Sequence, residues 1–251
     1  THFLMKAGHA KKGVIAIKVV NDKLAKKLQE ATEGYQNIEV VTVPDAYPMG
    51  WERVLIRELF KKEYDRFPGE IGIIVNNATT AIYLSEALRD KKPITHRIVT
   101  ISGEGVKNPE NVYVPIGTSV DYIIEKIGGY TENINEMFVL GGGPMMGKSI
   151  ANDTFVVTTY SNSITVLPKV VEEELPCLRC GLCVEHCPAK IQPVQIMNLE
   201  KQKNTEGVIA ACADRCITCG LCTYICPSKI EVTDWVGKAK TRVANARKAG
   251  K

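Results

Sequence analysis

Cys177-Leu-Arg-Cys180-Gly-Leu-Cys183-Val-Glu-His-Cys187-Pro188 and Cys216-Ile-Thr-Cys219-Gly-Leu-Cys222-Thr-Tyr-Ile-Cys226-Pro227 write one pattern twice, C-x2-C-x2-C-x3-C-P. Doubled in this way, it is the spacing that holds a pair of [4Fe–4S] clusters. Three thiolates at short intervals wrap a loop over one cubane, so the loop N–H groups point at the sulfurs. The fourth cysteine leaves on a turn fixed by proline and reaches the other cubane. That rule assigns Cys177, Cys180, Cys183 and Cys226 to one cluster and Cys216, Cys219, Cys222 and Cys187 to the other. Gly181 and Gly220 let the loop backbone come close to the cubane.

Two plainer readings compete. Zinc sites use two cysteine pairs with a longer gap, and need neither a third cysteine at the same interval nor Cys-Pro. Disulfides suit small secreted domains, whereas these cysteines crowd one quarter of a large chain without a signal peptide. Cys212, four residues before Cys216, fits neither run and reads as a buried non-ligand. His186 stands beside Cys187 and reads as an exposed histidine.

At 251 residues the chain has room for two or three domains and a real core. Its 24% charged and 45% hydrophobic residues are ordinary globular values. No apolar run approaches the roughly 18–20 residues of a membrane span. The formal charge of +4 counts thiols as neutral. Two oxidised clusters with eight thiolates add about −2 each, bringing the loaded chain near zero and arguing against nucleic acid as a partner. The basic end, with Lys238, Lys240, Arg242, Arg247, Lys248 and Lys251, reads as a solvated helix tail.

Toward the N-terminus, Gly13–Val19 and Ile38–Val43 are apolar runs of strand length. Asn21 is placed to cap a helix with Leu24, Ala25, Leu28 and Ala31 on one face, and Gly34 to stop it. A second helix carries Trp51, Val54, Leu55 and Leu59; Ile71–Val75 reads as a third strand, followed by a helix with Ala81, Leu84 and Leu88. Alternating strand and helix over residues 1–92 predicts an α/β, Rossmann-like parallel sheet. No G-x-G-x-x-G follows the first strand, where Val20-Asn21-Asp22 stands, so a dinucleotide site of the usual kind is not supported and a plain scaffold is the alternative.

Residues 93–150 change pattern. Strands His96–Gly103 and Asn111–Val114, a helix capped by Thr118 with Asp121 in its first turn, and strand Met137–Leu140 make one small domain. Residues 151–175 read as a hairpin turning near Ser161-Asn162, then an acidic linker of Glu172, Glu173 and Glu174. Residues 176–251 are the cluster domain, with helices from Pro193 to Lys203 and around Val208 to Ala211.

Several further short motifs keep a fixed order: Tyr47-Pro48-Met49-Gly50, Val75-Asn76-Asn77, Val106-Lys107-Asn108-Pro109, Val114-Pro115-Ile116-Gly117 and Gly142-Gly143-Pro144-Met145-Met146-Gly147. With the cysteine runs, they make the chain resemble the RnfC-like family, the C component of Rnf-type ferredoxin:NAD oxidoreductases, over residues 13 to 230. The resemblance implies a flavin-binding region akin to the flavin protein of respiratory complex I (1–92). It also implies a β-grasp, soluble-ligand-binding (SLBB-like) domain (93–150) and a helical two-[4Fe–4S] ferredoxin-like domain (176–251). By the complex I likeness Asn76, Asn77 and Thr80 contact the phosphate of an FMN; read on their own, they are equally turn formers and a helix cap. The family's glycine-rich flavin loop of the Gly-Gly-Ala-Gly-Phe-Pro-Thr kind has no match in this stretch. The chain, beginning Thr1-His-Phe-Leu, reads as a C-terminal fragment or a shortened relative.

The expected function is electron transfer: single electrons pass through two clusters between an NADH/flavin site and a ferredoxin-type or membrane-complex partner. The chain reads as a redox subunit with no catalytic residue of its own. It is expected in the cytoplasm, peripheral to a membrane only through other subunits. A stand-alone ferredoxin-like or cobalamin-reductase-like carrier without flavin is one alternative, and a zinc-stabilised interaction module without redox chemistry is the other.

Overall fold

The structure is a computed structural model that describes residues 1–20, 22–150, 152–170 and 172–249; Asn21, expected to cap a helix, and Lys251 of the basic end lie outside these. Two compact units divide the chain, Thr1–Pro93 and Ile94–Lys251.

In the first unit, helix α1 (His2–Ala7) precedes strand β1 (Gly13–Lys18), helix α2 (Asp22–Thr32), strand β2 (Ile38–Val43), helix α3 (Glu52–Phe60) and helix α4 (Ala78–Asp90). The two apolar runs pair in parallel, Gly13 opposite Ile38 through Lys18 opposite Val43. α3 buries Val54 and Ile56. Behind it the Arg53 guanidinium lies 4.1 Å from the centre of the Tyr64 ring and donates to the Tyr64 carbonyl at 2.6 Å. The Tyr64 hydroxyl in turn donates to Glu52 at 2.9 Å.

The third strand expected over Ile71–Val75 does not form. Pro68–Ile71 is a 3-10 turn closed by Gly72 in the left-handed region (φ 72°). The Glu70 carboxylate accepts the N–H groups of Asp65, Arg66 and Phe67 at 3.1, 3.2 and 3.0 Å. A chain turned this way cannot join a ladder, and Ile74 is left 67% exposed. Among the described residues the parallel sheet therefore has two strands, β1 and β2.

The second unit opens with a five-stranded sheet of strands β3 (His96–Ser102), β4 (Glu110–Pro115), β5 (Met137–Gly141), β6 (Lys148–Ser149) and β7 (Ser163–Pro168), in the order β4-β3-β7-β5-β6. Helix α5 (Val120–Lys126) contributes Val120, Ile123 and Ile124 to a core with Val99, Ile101, Ile164 and Val166. Its cap is Ser119 and not the expected Thr118: the Ser119 hydroxyl bonds the Asp121 carboxylate, which also accepts the Tyr122 N–H at 2.6 Å. Asn108 serves the other end of α5, donating to the Ile127 carbonyl at 2.7 Å.

The hairpin expected between 153 and 167 resolves differently. Val156 bridges to Ser119, and β7 runs parallel to β3 and antiparallel to β5 in the middle of the sheet. Buried Arg97 holds the bend before β7, donating to the Ser161 carbonyl at 3.3 Å and to Asn162 Oδ1 at 2.5 Å. Ile164, Thr165 and Val166 are all buried, as a central strand requires and an outlying hairpin would not.

The cysteine-bearing segment is helical: α6 (Leu182–Glu185), α7 (Pro193–Lys201), α8 (Thr205–Ala210), α9 (Leu221–Tyr224) and α10 (Val232–Ala249). α10 buries Val236, Ala239 and Val243 against Ile196, Met197 and Val208. The basic end is tied down and not merely solvated. Arg242 grips buried Glu200 with two bonds at 2.7 and 2.8 Å, and Arg247 meets Asp214 at 2.8 Å. Among the described residues no helix is long and apolar enough to cross a membrane.

Candidate metal centre

The two cysteine runs are a structural repeat, each residue of the first matching one 39 positions later (177 to 216, 187 to 226). Arg179 and Thr218 both stand in the left-handed region (φ 56° and 52°), as do Lys190 and Lys229 (56° and 54°) and Gly181 and Gly220 (80° and 83°). In each run that backbone turns an N–H onto sulfur: Arg179 donates to Cys177 Sγ at 3.4 Å and Thr218 to Cys216 Sγ at 3.3 Å. Each glycine then starts a one-turn helix, α6 or α9, which carries the third cysteine.

Gly220 has a second constraint. A Cβ on it would stand 2.4 Å from the Met145 carbonyl oxygen, because the Gly142–Gly147 loop that follows β5 lies directly against it. The matching Gly181 faces open space.

Cys187 from the first run meets Cys216, Cys219 and Cys222 from the second around one cavity, walled otherwise by Pro188, Ile191, Ile217, Leu221, Thr233 and Val236. Burial pushes the Cys216, Cys219 and Cys222 thiols up, Cys222 to about 12, and the charges of the facing cysteines add to the rise. Opposing this are the Thr218 N–H and Lys240 at Cys216, the Leu221 N–H at Cys219 and the Thr233 hydroxyl at Cys222. An apolar cavity does not tolerate several bare thiolates; cations that displace the thiol protons remove that penalty. The donor set, four sulfurs and their N–H and O–H partners, fits an iron–sulfur core. The thiols line a cavity wall, and among the described residues no three Cys, His, Asp or Glu converge as a single ion demands.

The other four cysteines are more open. Cys177 and Cys180 are exposed, and Cys183 and Cys226 half-buried. Burial raises the Cys183 thiol, the Val194 N–H opposes, and the Cys180 and Cys177 charges add to the rise. A clamp ties the residues just after Cys226 to those just before Cys177. Buried Ser228 donates to the Pro176 carbonyl at 2.9 Å, Leu175 N–H donates to the Ser228 carbonyl at 3.0 Å, and Lys229 pairs with Glu172 at 2.9 Å.

Cys212 is half-buried, not buried as expected, and is not part of the cavity wall; its sulfur lies 3.8 Å from the Ala210 carbonyl. The exposed His186 ring has Nδ1 3.1 Å from the Leu182 carbonyl. Asn76, Asn77 and Thr80 cluster at the start of α4, where Asn77 Oδ1 accepts the Thr79 N–H at 2.8 Å. That oxygen already serves the helix cap, so these residues offer a flavin phosphate only backbone N–H groups and exposed side chains. Sequence reasoning gave no site role to Ser228 or Thr233, and it read as solvated tail Lys240, whose Nζ donates to the Cys216 carbonyl at 2.6 Å. Only the 39-residue repeat could have pointed to Thr233; nothing marks the other two.

Three family models match the chain in series: the Nuo51 FMN-binding domain at residues 1–86, the SLBB domain at 98–149 and the 4Fe-4S dicluster domain at 176–230. Among similar proteins is the C component of the ion-translocating oxidoreductase complex of Rhodobacter capsulatus, 36% identical over 168 residues, 65% of this chain and 32% of that one. Another is the C component of the proton-translocating ferredoxin:NAD(+) oxidoreductase complex of Clostridium ljungdahlii, 33% identical over 195 residues, 76% of this chain and 42% of that one. A third, the C component of the ion-translocating oxidoreductase complex of Yersinia enterocolitica, is 33% identical over 175 residues, 67% of this chain and 25% of that one.

The chain is RnfC-like over its matched regions. It spans less than half the length of the curated relatives it matches. Within the RnfC-like frame, the three matched regions give an α/β flavin-type region, an SLBB domain and a dicluster domain, and the last brings two [4Fe–4S] clusters.

Proposed function

We propose that this chain is an electron-transfer subunit of a flavin/iron–sulfur oxidoreductase complex. Cys177, Cys180, Cys183 and Cys226 hold one cluster, and Cys216, Cys219, Cys222 and Cys187 the other. When bound, such clusters carry electrons singly, which suits them to link a two-electron donor to one-electron partners. The chain's own residues supply the sulfurs, aim N–H groups at them and exclude water from one of the two sites.

The observation that carries this reading is Cys187 in the wall of the cavity formed by Cys216, Cys219 and Cys222. A cysteine exchanged between two runs ties both loops into one body and keeps the two sites adjacent, as passage of electrons between them requires. The names of the relatives, ion-translocating and ferredoxin:NAD(+) oxidoreductase, support partners inside a redox complex. In this reading those partners are other subunits, with a ferredoxin, a flavin and NADH at the ends of the chain of carriers. Attachment to the cytoplasmic face of a membrane is through them. FMN near Asn76, Asn77 and Thr80 belongs to the same proposal, and no step is drawn through it.

The test is anaerobic purification with iron, acid-labile sulfide and flavin assays. About eight irons and eight sulfides per chain are expected, falling to about four in Cys219→Ala. NADH-dependent bleaching in the presence of the partner subunits tests the direction of supply. A folded chain holding zinc, or holding no iron at all, would refute the proposal.

A further inference from the structure

We propose that the Thr233 hydroxyl is the hydrogen-bond donor that holds up the reduction potential of the cluster bound through Cys222. This rests on the cluster assignment proposed above. Thr233 Oγ1 lies 3.2 Å from Cys222 Sγ. The Thr223 hydroxyl donates to Thr233 Oγ1 at 3.0 Å, and the Thr233 N–H donates to Thr223 Oγ1 at 2.9 Å. With its oxygen already accepting from Thr223, Thr233 has its own proton free for the sulfur. A ligating thiolate has no proton to offer, so in the loaded protein the hydroxyl is the donor.

The repeat gives the comparison. Thirty-nine residues upstream, Thr223 and Thr233 correspond to Val184 and Val194. There the Val194 backbone N–H acts on Cys183, holding down a thiol that burial raises. In the second run Thr223 takes the equivalent N–H away, and the Thr233 hydroxyl stands in its place. Two threonines replacing two valines thus exchange an N–H donor for an O–H donor at one cluster only. A reduced cluster carries one more negative charge spread over its sulfurs, so a donor to sulfur favours reduction and raises the potential. Burial around Cys216, Cys219 and Cys222 acts the other way, which makes the hydroxyl's contribution matter more at this site.

The experiment is an EPR-monitored redox titration of the anaerobically purified chain and its variants, with iron content measured on each. Thr233→Val is expected to lower one of the two midpoint potentials and leave the other in place, and Thr233→Ser to restore it. Unchanged midpoints, or an equal fall in both, would overturn the proposal. Should Thr233→Val come out short of iron, Thr223→Val decides. It frees the Thr233 N–H to join the hydroxyl at the sulfur and should raise that same midpoint, and an unchanged or lower value overturns the proposal. A wild-type chain without about eight irons sinks the cluster reading itself; a fully loaded wild type with an indifferent Thr233→Val sinks only this inference.

Discussion

Alanine at Gly220 and at Gly181 separates backbone strain from steric contact. Both glycines are left-handed, with φ of 83° and 80°. An L-residue there costs about 1–2 kcal/mol, offset by about 0.4–1 kcal/mol from the stiffer unfolded chain. Gly181→Ala adds a Cβ to open space and should cost about 1 kcal/mol net. Gly220→Ala drives its Cβ to 2.4 Å from the Met145 carbonyl oxygen, a backbone atom that cannot swing aside. Forced overpacking of that kind adds about 1–3 kcal/mol, for a total of about 2–4 kcal/mol. Cofactor loss makes unfolding irreversible, so the readout is the denaturant midpoint at which visible cluster absorption disappears under anaerobic conditions at a fixed time. Gly220→Ala should lose its colour at clearly lower denaturant than Gly181→Ala. Equal midpoints, or a harmless Gly220→Ala, would refute the packing of the Gly142–Gly147 loop on the cluster loop.

Ser228→Ala removes the bond to the Pro176 carbonyl; that carbonyl is near solvent, so the cost should be about 1 kcal/mol, seen as faster iron release to a chelator from one cluster. Cys212→Ala should keep about eight irons per chain in a colorimetric assay, whereas loss of about four would make Cys212 a ligand. Tyr64 has its hydroxyl pushed up to about 12, by burial first and then by the bond to Glu52. Its folded value lies above the ordinary one near 10, so its contribution is complete below about pH 10 and lost as pH rises toward 12. Alkaline denaturation of the wild type should therefore be steeper in that window than that of Tyr64→Phe; identical slopes would argue against the buried Tyr64–Glu52 bond.

The cysteine runs were legible because ligand spacing is a local property of the chain. The pairing of Gly13–Lys18 with Ile38–Val43 was legible for a similar reason: two apolar runs joined by a helix make a parallel pair. Ile71–Val75 misled because a five-residue apolar run looks the same in a strand and in a loop. What decided it was the Glu70 carboxylate gathering three N–H groups and Gly72 turning left-handed, neither visible in hydrophobic pattern. Ser161-Asn162 was a fair turn signal, but Arg97, more than sixty positions earlier, turned it into the approach to a central strand. The Thr223–Thr233 pair needs α9 laid against the start of α10, a tertiary fact that composition does not carry.

The place of β7 has a consequence for how the protein is made. Among the described residues β4-β3 and β5-β6 are joined only by this strand, which ends at Pro168, nine residues before Cys177. As the polypeptide emerges from the ribosome, the sheet can close only after residue 168 has been synthesised, shortly before the metal-binding loops appear. A polypeptide ended at residue 150 should leave two strand pairs with open edges and aggregate. One ended at about 170 has every strand it needs.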